Sequence, residues 1–166
     1  MWYWFFGLPG SGKTHVAGIF SRLTGIPQYE GDDFQTEEDR RVIAKGAFTL
    51  KRRHDQLMRI VSTLRDSGRT DALITHPLPD KASRELVRTL NANCTQLVHV
   101  TAPLVLVRKR LHERKNHHFG PELLDAWIAR HWEEPAGEDF FLIENAEEKE
   151  ALVSQLDRLC GSRHGR

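Results

Sequence analysis

Cysteine, net charge and long apolar runs are all scarce in this chain of 166 residues. The two cysteines, Cys94 and Cys160, are too few for a disulfide framework, so the reducing cytoplasm is the expected location. No stretch approaches the roughly 20 apolar residues that a membrane span requires, and we expect no membrane partner. The 24 Lys and Arg residues almost balance the 23 Asp and Glu residues, and a net charge of +1 provides no global field for holding nucleic acid. Any binding of anions must therefore be local.

The overall composition fits one folded domain over residues 1–166. Hydrophobic residues make up 39% of the chain and charged residues 28%, which is ordinary for a globular protein. A chain of this length usually forms a single domain with a sizeable core. No internal repeat or low-complexity segment divides it. The sequence leaves the oligomeric state open, a homodimer included.

Residues 2–6, Trp-Tyr-Trp-Phe-Phe, form an aromatic run near the start of the chain. The run lacks both the basic residues and the length of a secretory signal peptide. A short apolar run of β-forming residues that stops at glycine and proline is typical of a strand. Strands buried on both faces occur mainly in parallel sheets that helices cover on both sides. The run therefore predicts a fully buried central strand.

Residues 7–14, Gly-Leu-Pro-Gly-Ser-Gly-Lys-Thr, match the motif G-x-x-x-x-G-K-[ST] at every fixed position. Glycines let the backbone curl so that its N–H groups surround a phosphate, and the helix that follows adds its positive dipole end. The lysine suits the β- and γ-phosphates, and the threonine hydroxyl is a hard oxygen ligand for Mg²⁺. The strand before and the helix after argue against a chance glycine-rich turn. We predict that ATP binds this phosphate loop through Gly7, Pro9, Gly10, Ser11, Gly12, Lys13 and Thr14.

Apolar spacing along the rest of the chain predicts strands and helices in the order β-α-β-α-α-β-α-β-α-α-β-α. This order implies a parallel five-stranded sheet with helices on both faces, a three-layer α/β/α fold. Ligands in such folds bind beyond the carboxyl ends of the strands. The predicted strands cover residues 2–6, 26–29, 72–75, 97–100 and 140–143. Seven helices are predicted. The first ends near residue 24, and the second begins at Thr36 with Asp39 as its cap partner. The next four cover about 50–67, lie around 86–90, cover 103–114 and begin at 120, and the last begins at Asn145 with Glu148 as its cap partner.

The second predicted strand ends in an acidic segment, Glu30-Gly31-Asp32-Asp33. At a strand end that faces the phosphate loop, carboxylates can hold Mg²⁺ through water or accept the proton of an attacking hydroxyl. We assign Mg²⁺ to Thr14 and, through water, Glu30. Asp32 is the candidate general base, and Asp32 and Asp33 are candidate contacts to the acceptor. The plainer interpretation is a polar turn, for which Gly-Asp-Asp is well suited.

A basic set follows the fourth predicted strand: Arg108, Lys109, Arg110, Arg114 and Lys115. Phosphoryl transfer spreads negative charge over the transferring oxygens, and arginines stabilise it. Arg110 and Arg114 share a helix face, and we predict that they are catalytic, next to a short lid over about 112–122 that excludes water on closing. The alternative is a solvated helix face.

Arg53 and His76 are further candidates for binding the acceptor. Arg53 stands at the start of a helix, where it could grip an anion or simply lie on the surface. His76 follows the third predicted strand, where an acceptor could bind but a turn is equally compatible. A metal site among the histidines of 112–118 and His131 is disfavoured, because no cysteine or carboxylate completes a ligand spacing.

Several classes of nucleotide-binding protein are disfavoured by what the chain lacks. The third predicted strand ends in Thr75, not in the Asp-Glu pair of motor and remodelling ATPases. No Asn-Lys-x-Asp sequence is present to read guanine, and the length leaves no room for an extra helical lid domain. With these classes disfavoured, we interpret the chain as a compact kinase that phosphorylates a hydroxyl of a small-molecule acceptor.

At this point the chain resembles the small gluconate kinases, which group with shikimate kinases and adenylylsulfate kinases. The resemblance rests on the phosphate loop, Tyr-Glu-Gly-Asp-Asp-Phe at 29–34, His-Phe-Gly-Pro-Glu-Leu-Leu-Asp at 118–125 and Glu-Glu-Pro at 133–135. It implies a P-loop fold of the nucleoside-monophosphate-kinase type and ATP-dependent phosphorylation of a metabolite hydroxyl, with a sugar acid favoured. It also implies that Asp32 lies close to that hydroxyl and that a lid arginine reaches the transferring phosphate. Glu30 stands where the family usually has Asp.

Two segments depart from the gluconate kinase pattern. Residues 52–57 read Arg-Arg-His-Asp-Gln-Leu where the family has Asp-Arg-Trp-Pro-Trp-Leu. Residues 75–81 read Thr-His-Pro-Leu-Pro-Asp-Lys and are closer to the adenylylsulfate kinases. The alternatives are therefore an adenylylsulfate, nucleotide or nucleoside kinase, a kinase of polynucleotide ends, or a regulatory protein that binds ATP without catalysis.

Overall fold

A computed structural model of the chain describes residues 1–44, 47–91, 94–113, 120–146 and 149–161. These residues contain a parallel five-stranded sheet in the order β2-β3-β1-β4-β5, so the predicted fold class is confirmed. The strands are β1 Trp2–Phe6, β2 Gln28–Glu30, β3 Ala72–Thr75, β4 Thr95–Thr101 and β5 Phe141–Glu144. The second strand is an edge strand that starts two residues later than predicted, after Pro27, which has no N–H for a ladder. That the chain is one domain over 1–166 stays a prediction.

Helices connect the strands in the predicted order within the described ranges. They are α1 Lys13–Thr24, α2 Glu37–Ala44, α3 Leu50–Asp66, α4 Lys81–Leu90, α5 Leu104–Glu113, α6 Leu124–His131 and α7 Lys149–Gly161. Short 3₁₀ turns cover Gly31–Phe34 and Pro121–Leu123. The predicted capping box before α2 is present: Asp39 N–H donates to the Thr36 hydroxyl at 3.0 Å, and Thr36 N–H donates to the Asp39 carboxylate at 3.1 Å. Glu148, predicted to cap α7, lies outside the described residues.

The aromatic run forms the central strand, with every residue of β1 buried. Its side chains alternate between the two faces of the sheet, as the strand period requires. Tyr3 packs edge-on against Phe20 of α1, with ring centroids 5.2 Å apart, while Trp4 belongs to the core beneath α3. The parallel register places Phe5 beside Thr75 of β3 and Phe6 beside His99 of β4. The carboxyl ends of the three middle strands therefore meet at one edge.

No helix in the described ranges is both long and apolar enough to cross a membrane. Cys94 is exposed and Cys160 is half-buried, and neither forms a disulfide within the described residues.

Candidate active site

The phosphate loop leaves β1 at Gly7 and enters α1 at Lys13, and its first and last glycines show why it needs this residue type. Gly12, directly before the helix, has a φ of 91°, and a Cβ there would overlap the side-chain amide of Asn145. Gly7 has a φ of 144°, and a Cβ there would overlap the carbonyl oxygen of Val100. Because both positions exclude a side chain, the loop can curl tightly in front of the first turn of α1.

The loop carries polar groups that suit a polyphosphate. Ser11 is 1% exposed, and its hydroxyl oxygen has no hydrogen-bond partner among the described residues. A buried hydroxyl without a partner is destabilising, and a bound ligand would satisfy it. Lys13 lies across the loop, where its Nζ donates to the carbonyl oxygens of Gly7 at 3.0 Å and Leu8 at 2.9 Å. This ammonium group is within the loop itself, where the phosphates of a nucleotide would lie.

The structure brings together the two residues that the sequence assigns to Mg²⁺. The Thr14 hydroxyl donates to Glu30 Oε2 at 3.0 Å. Gln28 Nε2 donates to Glu30 Oε1 at 2.8 Å, and the Thr75 hydroxyl donates to Oε2 of the same carboxylate. A hydroxyl and a carboxylate are hard oxygen donors of the kind that Mg²⁺ prefers, so these residues fit the ion. Thr75 and Gln28 were missed at the sequence level, because neither residue type signals a metal site by itself.

The predicted base lies in the 3₁₀ turn that follows β2. Asp32 and Asp33 are both exposed, and Asp32 Oδ1 accepts a hydrogen bond of 2.7 Å from Gln35 Nε2. Gln56 of α3 holds the turn in place, because its buried side chain donates to the Gly31 carbonyl oxygen at 2.8 Å. Asp32 therefore stands two residues beyond Glu30, at the carboxyl end of the sheet, on a turn with an anchored backbone.

His76 packs directly against this turn. It is 4% exposed, and a Cβ on Gly31 would come within 2.8 Å of its ring. Its Nδ1 accepts the N–H of Leu78 at 3.1 Å, which leaves the proton of the neutral ring on Nε2. Burial, with Arg53 and then Lys13 nearby, lowers the pKa of His76 to about 3. The imidazole is therefore neutral at pH 7 and holds the β3–α4 connection.

Arg53 is buried and forms an ion pair, contrary to the alternative that it lies on the surface. Its side chain, 9% exposed, bonds through Nη1 to Oδ2 of Asp80, whose side chain is 11% exposed. Asp80 also caps α4, because its Oδ1 accepts the N–H of Ser83 at 2.8 Å. The pair joins the first turn of α3 to the start of α4. Asp80 was missed because the sequence gives no sign that residues 27 positions apart meet.

Arg110 contacts the phosphate loop from α5. Its guanidinium donates to the carbonyl oxygens of Ser11 and Asn145, each at 3.2 Å. Asn145, predicted to cap α7, donates from its side-chain Nδ2 to the carbonyl oxygen of Ser11 at 2.7 Å. Arg114 lies outside the described residues, as does most of the predicted lid. Arg108 forms an exposed ion pair with Asp125 at 2.6 Å, which fits a surface role.

The histidines of the predicted lid region give no metal site that the structure describes. No group of three or more His, Cys, Asp or Glu residues within the described ranges could hold a metal ion. His112 is exposed at the end of α5, while residues 114–119, with two of the histidines, lie outside the described part. His131 is half-buried at the end of α6, and burial, with Arg53 nearby, lowers its pKa.

Most of the predicted site therefore converges on the carboxyl ends of β1, β2 and β3. The phosphate loop, the Thr14–Glu30 pair and the Asp32 turn come from consecutive strand ends. His76 packs against the turn at Gly31, and Arg53 lies close enough to His76 to lower its pKa. The arrangement can place a polyphosphate in front of α1, an ion beside Glu30 and a hydroxyl near Asp32.

No protein-family model matches the chain. Among curated proteins it is similar to the probable gluconokinase of Mus musculus, with 29% identity over 140 residues, which cover 72% of this chain and 76% of that protein. The aligned regions cover between 66% and 88% of the length of each curated relative.

Solved structures show the same fold. A gluconokinase from Sinorhizobium meliloti superimposes with a TM-score of 0.79 at 22% identity, covering 98% of this chain and 94% of that chain. The Mycobacterium tuberculosis APS kinase, in complex with AMPPNP and APS, gives a TM-score of 0.66 at 18% identity, with coverage of 98% and 96%. The fold is that of the P-loop kinases. Within that class, the resemblance to the gluconate kinases is confirmed by the curated relatives.

Proposed function

We propose that this protein is a kinase that transfers the γ-phosphate of ATP to a hydroxyl of a small polyhydroxylated metabolite. The observation that carries the proposal is the convergence of the phosphate loop, the Thr14–Glu30 pair and Asp32 on adjacent strand ends. Similarity to curated proteins named gluconokinases supports it. We also propose a cytoplasmic location, because neither Cys94 nor Cys160 forms a disulfide within the described residues.

The nucleotide side of the site would work by positioning and charge. Gly7, Pro9 and Gly10–Thr14 surround the phosphates, and the unpartnered Ser11 hydroxyl becomes a partner for one of their oxygens. Lys13 exchanges its backbone carbonyl partners for phosphate oxygens. Thr14 and, through water, Glu30 would hold Mg²⁺, which would supply positive charge to neutralise the phosphates. Arg110 stays on the Ser11 side of the loop, and Arg114 is the second arginine proposed to stabilise the transferring group.

Asp32 would accept the proton of the attacking hydroxyl. The hydroxyl oxygen forms a bond to the γ-phosphorus while the bond between that phosphorus and the β,γ-bridging oxygen breaks. The bonding electron pair leaves with ADP, and the proton goes to the Asp32 carboxylate. General-base help of this kind contributes roughly 10²–10⁴-fold in rate. Asp32 suits the task because its turn is anchored by Gln56 while its carboxylate remains exposed to an incoming acceptor.

The acceptor is proposed to bind beside Asp32, Asp33, Arg53 and His76. A sugar acid such as gluconate is the candidate that the resemblance favours. A nucleotide acceptor is the second candidate, favoured by the segment 75–81 and by the structural similarity to an APS kinase. Neither a polynucleotide end nor a purely regulatory role has a comparable supporting observation.

The experiment is a coupled assay of ADP release with a panel of acceptors: sugar acids, the matching polyols, shikimate, adenylylsulfate and nucleosides. We expect ADP release to rise by at least tenfold with one class of acceptor and to depend on Mg²⁺. The matched control is Glu37→Gln, which removes a carboxylate that is 86% exposed at the start of α2 and should not alter turnover. Binding of ATP without stimulation by any acceptor would favour the regulatory alternative.

A further inference from the structure

The cation assigned to the proposed acceptor site, Arg53, forms an ion pair with a carboxylate of the protein itself. Arg53 and Asp80 are both buried and form a direct ion pair. Within the described part of the chain only Nη1 of the guanidinium has a partner, and that partner is Asp80 Oδ2. Nε and Nη2 are left as hydrogen-bond donors, but the positive charge behind them is compensated.

The neighbouring cations are paired as well. Arg52 lies within 3.6 Å of Asp39 and 3.4 Å of Glu38, and Arg59 also pairs with Asp39. On α4, Lys81 lies 3.7 Å from Glu85. Among the described residues in the first turns of α3 and α4, which lie near the Asp32 turn, every Lys and Arg therefore has a carboxylate partner.

The histidines beside the pair add no charge at neutral pH. His76 is neutral because burial and the nearby cations lower its pKa to about 3. Burial is also the main reason why the pKa of His131 is lowered, and Arg53 is the next cause. Asp32 and Asp33, by contrast, add two exposed carboxylates to the same end of the sheet. A carboxylate placed beside Arg53 would therefore meet a compensated guanidinium and two like charges. The other cations whose charge reaches these histidines are Lys13, which is assigned to the phosphates, and Arg130, which is exposed on α6.

We infer that Asp80 is a specificity-determining residue, which makes this site bind an uncharged polyhydroxylated acceptor in preference to the corresponding acid. The inference rests on the proposed kinase function and narrows its acceptor, away from the acid that the resemblance favours. Hydroxyl oxygens can accept hydrogen bonds from Nε and Nη2 of Arg53 without bringing a second anion to the pair. A carboxylate would have to compete with Asp80 for the same guanidinium.

The test compares gluconate with glucitol, which share a carbon chain and differ by a carboxylate in place of a CH₂OH group. Binding of each to the protein saturated with a non-hydrolysable ATP analogue is measured by calorimetry. We expect the wild-type chain to bind glucitol at least tenfold more tightly than gluconate. Tighter binding of gluconate by the wild type would overturn the inference, and this comparison depends on no variant.

The variant Asp80→Asn then tests the effect of the Asp80 charge separately from its role as a helix cap. Asparagine caps helices as well as aspartate does, so the Ser83 bond can persist while the charge is lost. We expect gluconate binding to tighten by at least tenfold and glucitol binding to change by less than threefold. Asp157→Asn, which makes the same change at an exposed position of α7, is the control and should change neither.

Unchanged or undetectable gluconate binding by folded Asp80→Asn contradicts the inference. If that variant does not fold, Asp80→Ser, which keeps a capping hydroxyl, takes its place. Turnover is measured separately: binding with the predicted preference but without ADP release would contradict the proposed kinase function and leave the specificity assignment standing.

Discussion

The proposed nucleotide side and the proposed acceptor side of this site are built by different means. On the nucleotide side the shape comes from the backbone: Gly7 and Gly12 exclude a Cβ, and the loop runs directly from β1 into α1. On the acceptor side the shape comes from side chains that are far apart in sequence, above all Arg53 with Asp80. A local backbone motif can be recognised in the sequence, whereas an ion pair between residues 27 positions apart cannot. The comparison also suggests that the acceptor can change while ATP binding is retained.

The largest effect is expected from breaking the buried pair. Arg53→Gln leaves Asp80 buried without its counter-ion, and the loss of one partner of a buried pair typically costs about 3–5 kcal/mol. Denaturant unfolding should show a loss of this order. The double variant Arg53→Gln with Asp80→Asn should recover part of it, because no unpaired charge is left. Equal destabilisation of the single and double variants would show that packing, and not charge, dominates at this position.

The nucleotide side should respond most to Gly12→Ala. The residue has a φ of 91°, and its new Cβ would overlap the Asn145 amide, so the loop cannot keep its shape. We expect about a 100-fold loss of ATP affinity, which is about 2.7 kcal/mol. Gly25→Ala is the control, because Gly25 has a similar φ of 73° but open space around its Cβ. The same loss of affinity in both variants would mean that strain alone, and not the contact with Asn145, explains the effect.

Acid should destabilise the fold through its buried histidines. The pKa of His76 is about 3 and that of His99 about 4 in the folded chain, both lowered chiefly by burial, against 6.5 when unfolded. Between those values the unfolded state binds more protons, so stability falls as pH decreases below about 6.5 and is constant above it. The slope is about 1.4 kcal/mol per pH unit for each histidine. His76→Gln should roughly halve the loss measured between pH 7 and 5, and His15→Gln, at an exposed position of α1, should not.

The smallest effect is expected at the proposed metal position. Glu30→Gln keeps the acceptor of the Thr14 and Thr75 hydroxyls but removes a charge, so the Mg²⁺ concentration for half-maximal activity should rise about tenfold. Glu144, the last residue of the opposite edge strand, supplies the control as Glu144→Gln. A Mg²⁺ dependence that does not change in Glu30→Gln would remove Glu30 from the metal site.

The contrast between the two sides also explains what the sequence could predict. The order of elements and the central aromatic strand follow from local periodicity, and the structure confirms them. The glycines of residues 7–14 likewise predict a phosphate loop between β1 and α1, and its binding of ATP stays a prediction. The Thr14–Glu30 contact was predictable because parallel strands carry their ends to one edge. The roles of Asn145 and Asp80 were not predictable, because each looks like an ordinary helix cap until the tertiary contact to Ser11 or Arg53 is known. The identity of the acceptor depends on contacts of this second kind.

The most direct test of the central claim separates binding from transfer at Asp32. The affinity for an ATP analogue and the rate of acceptor-stimulated ADP release are measured in parallel for the wild type and Asp32→Asn, with the best acceptor of the panel at saturation. The account predicts a rate lower by roughly 10²–10⁴-fold and an affinity within about threefold of the wild type. A variant that keeps its rate, or that loses rate and ATP affinity together, would contradict the assignment of Asp32 as the base in phosphoryl transfer.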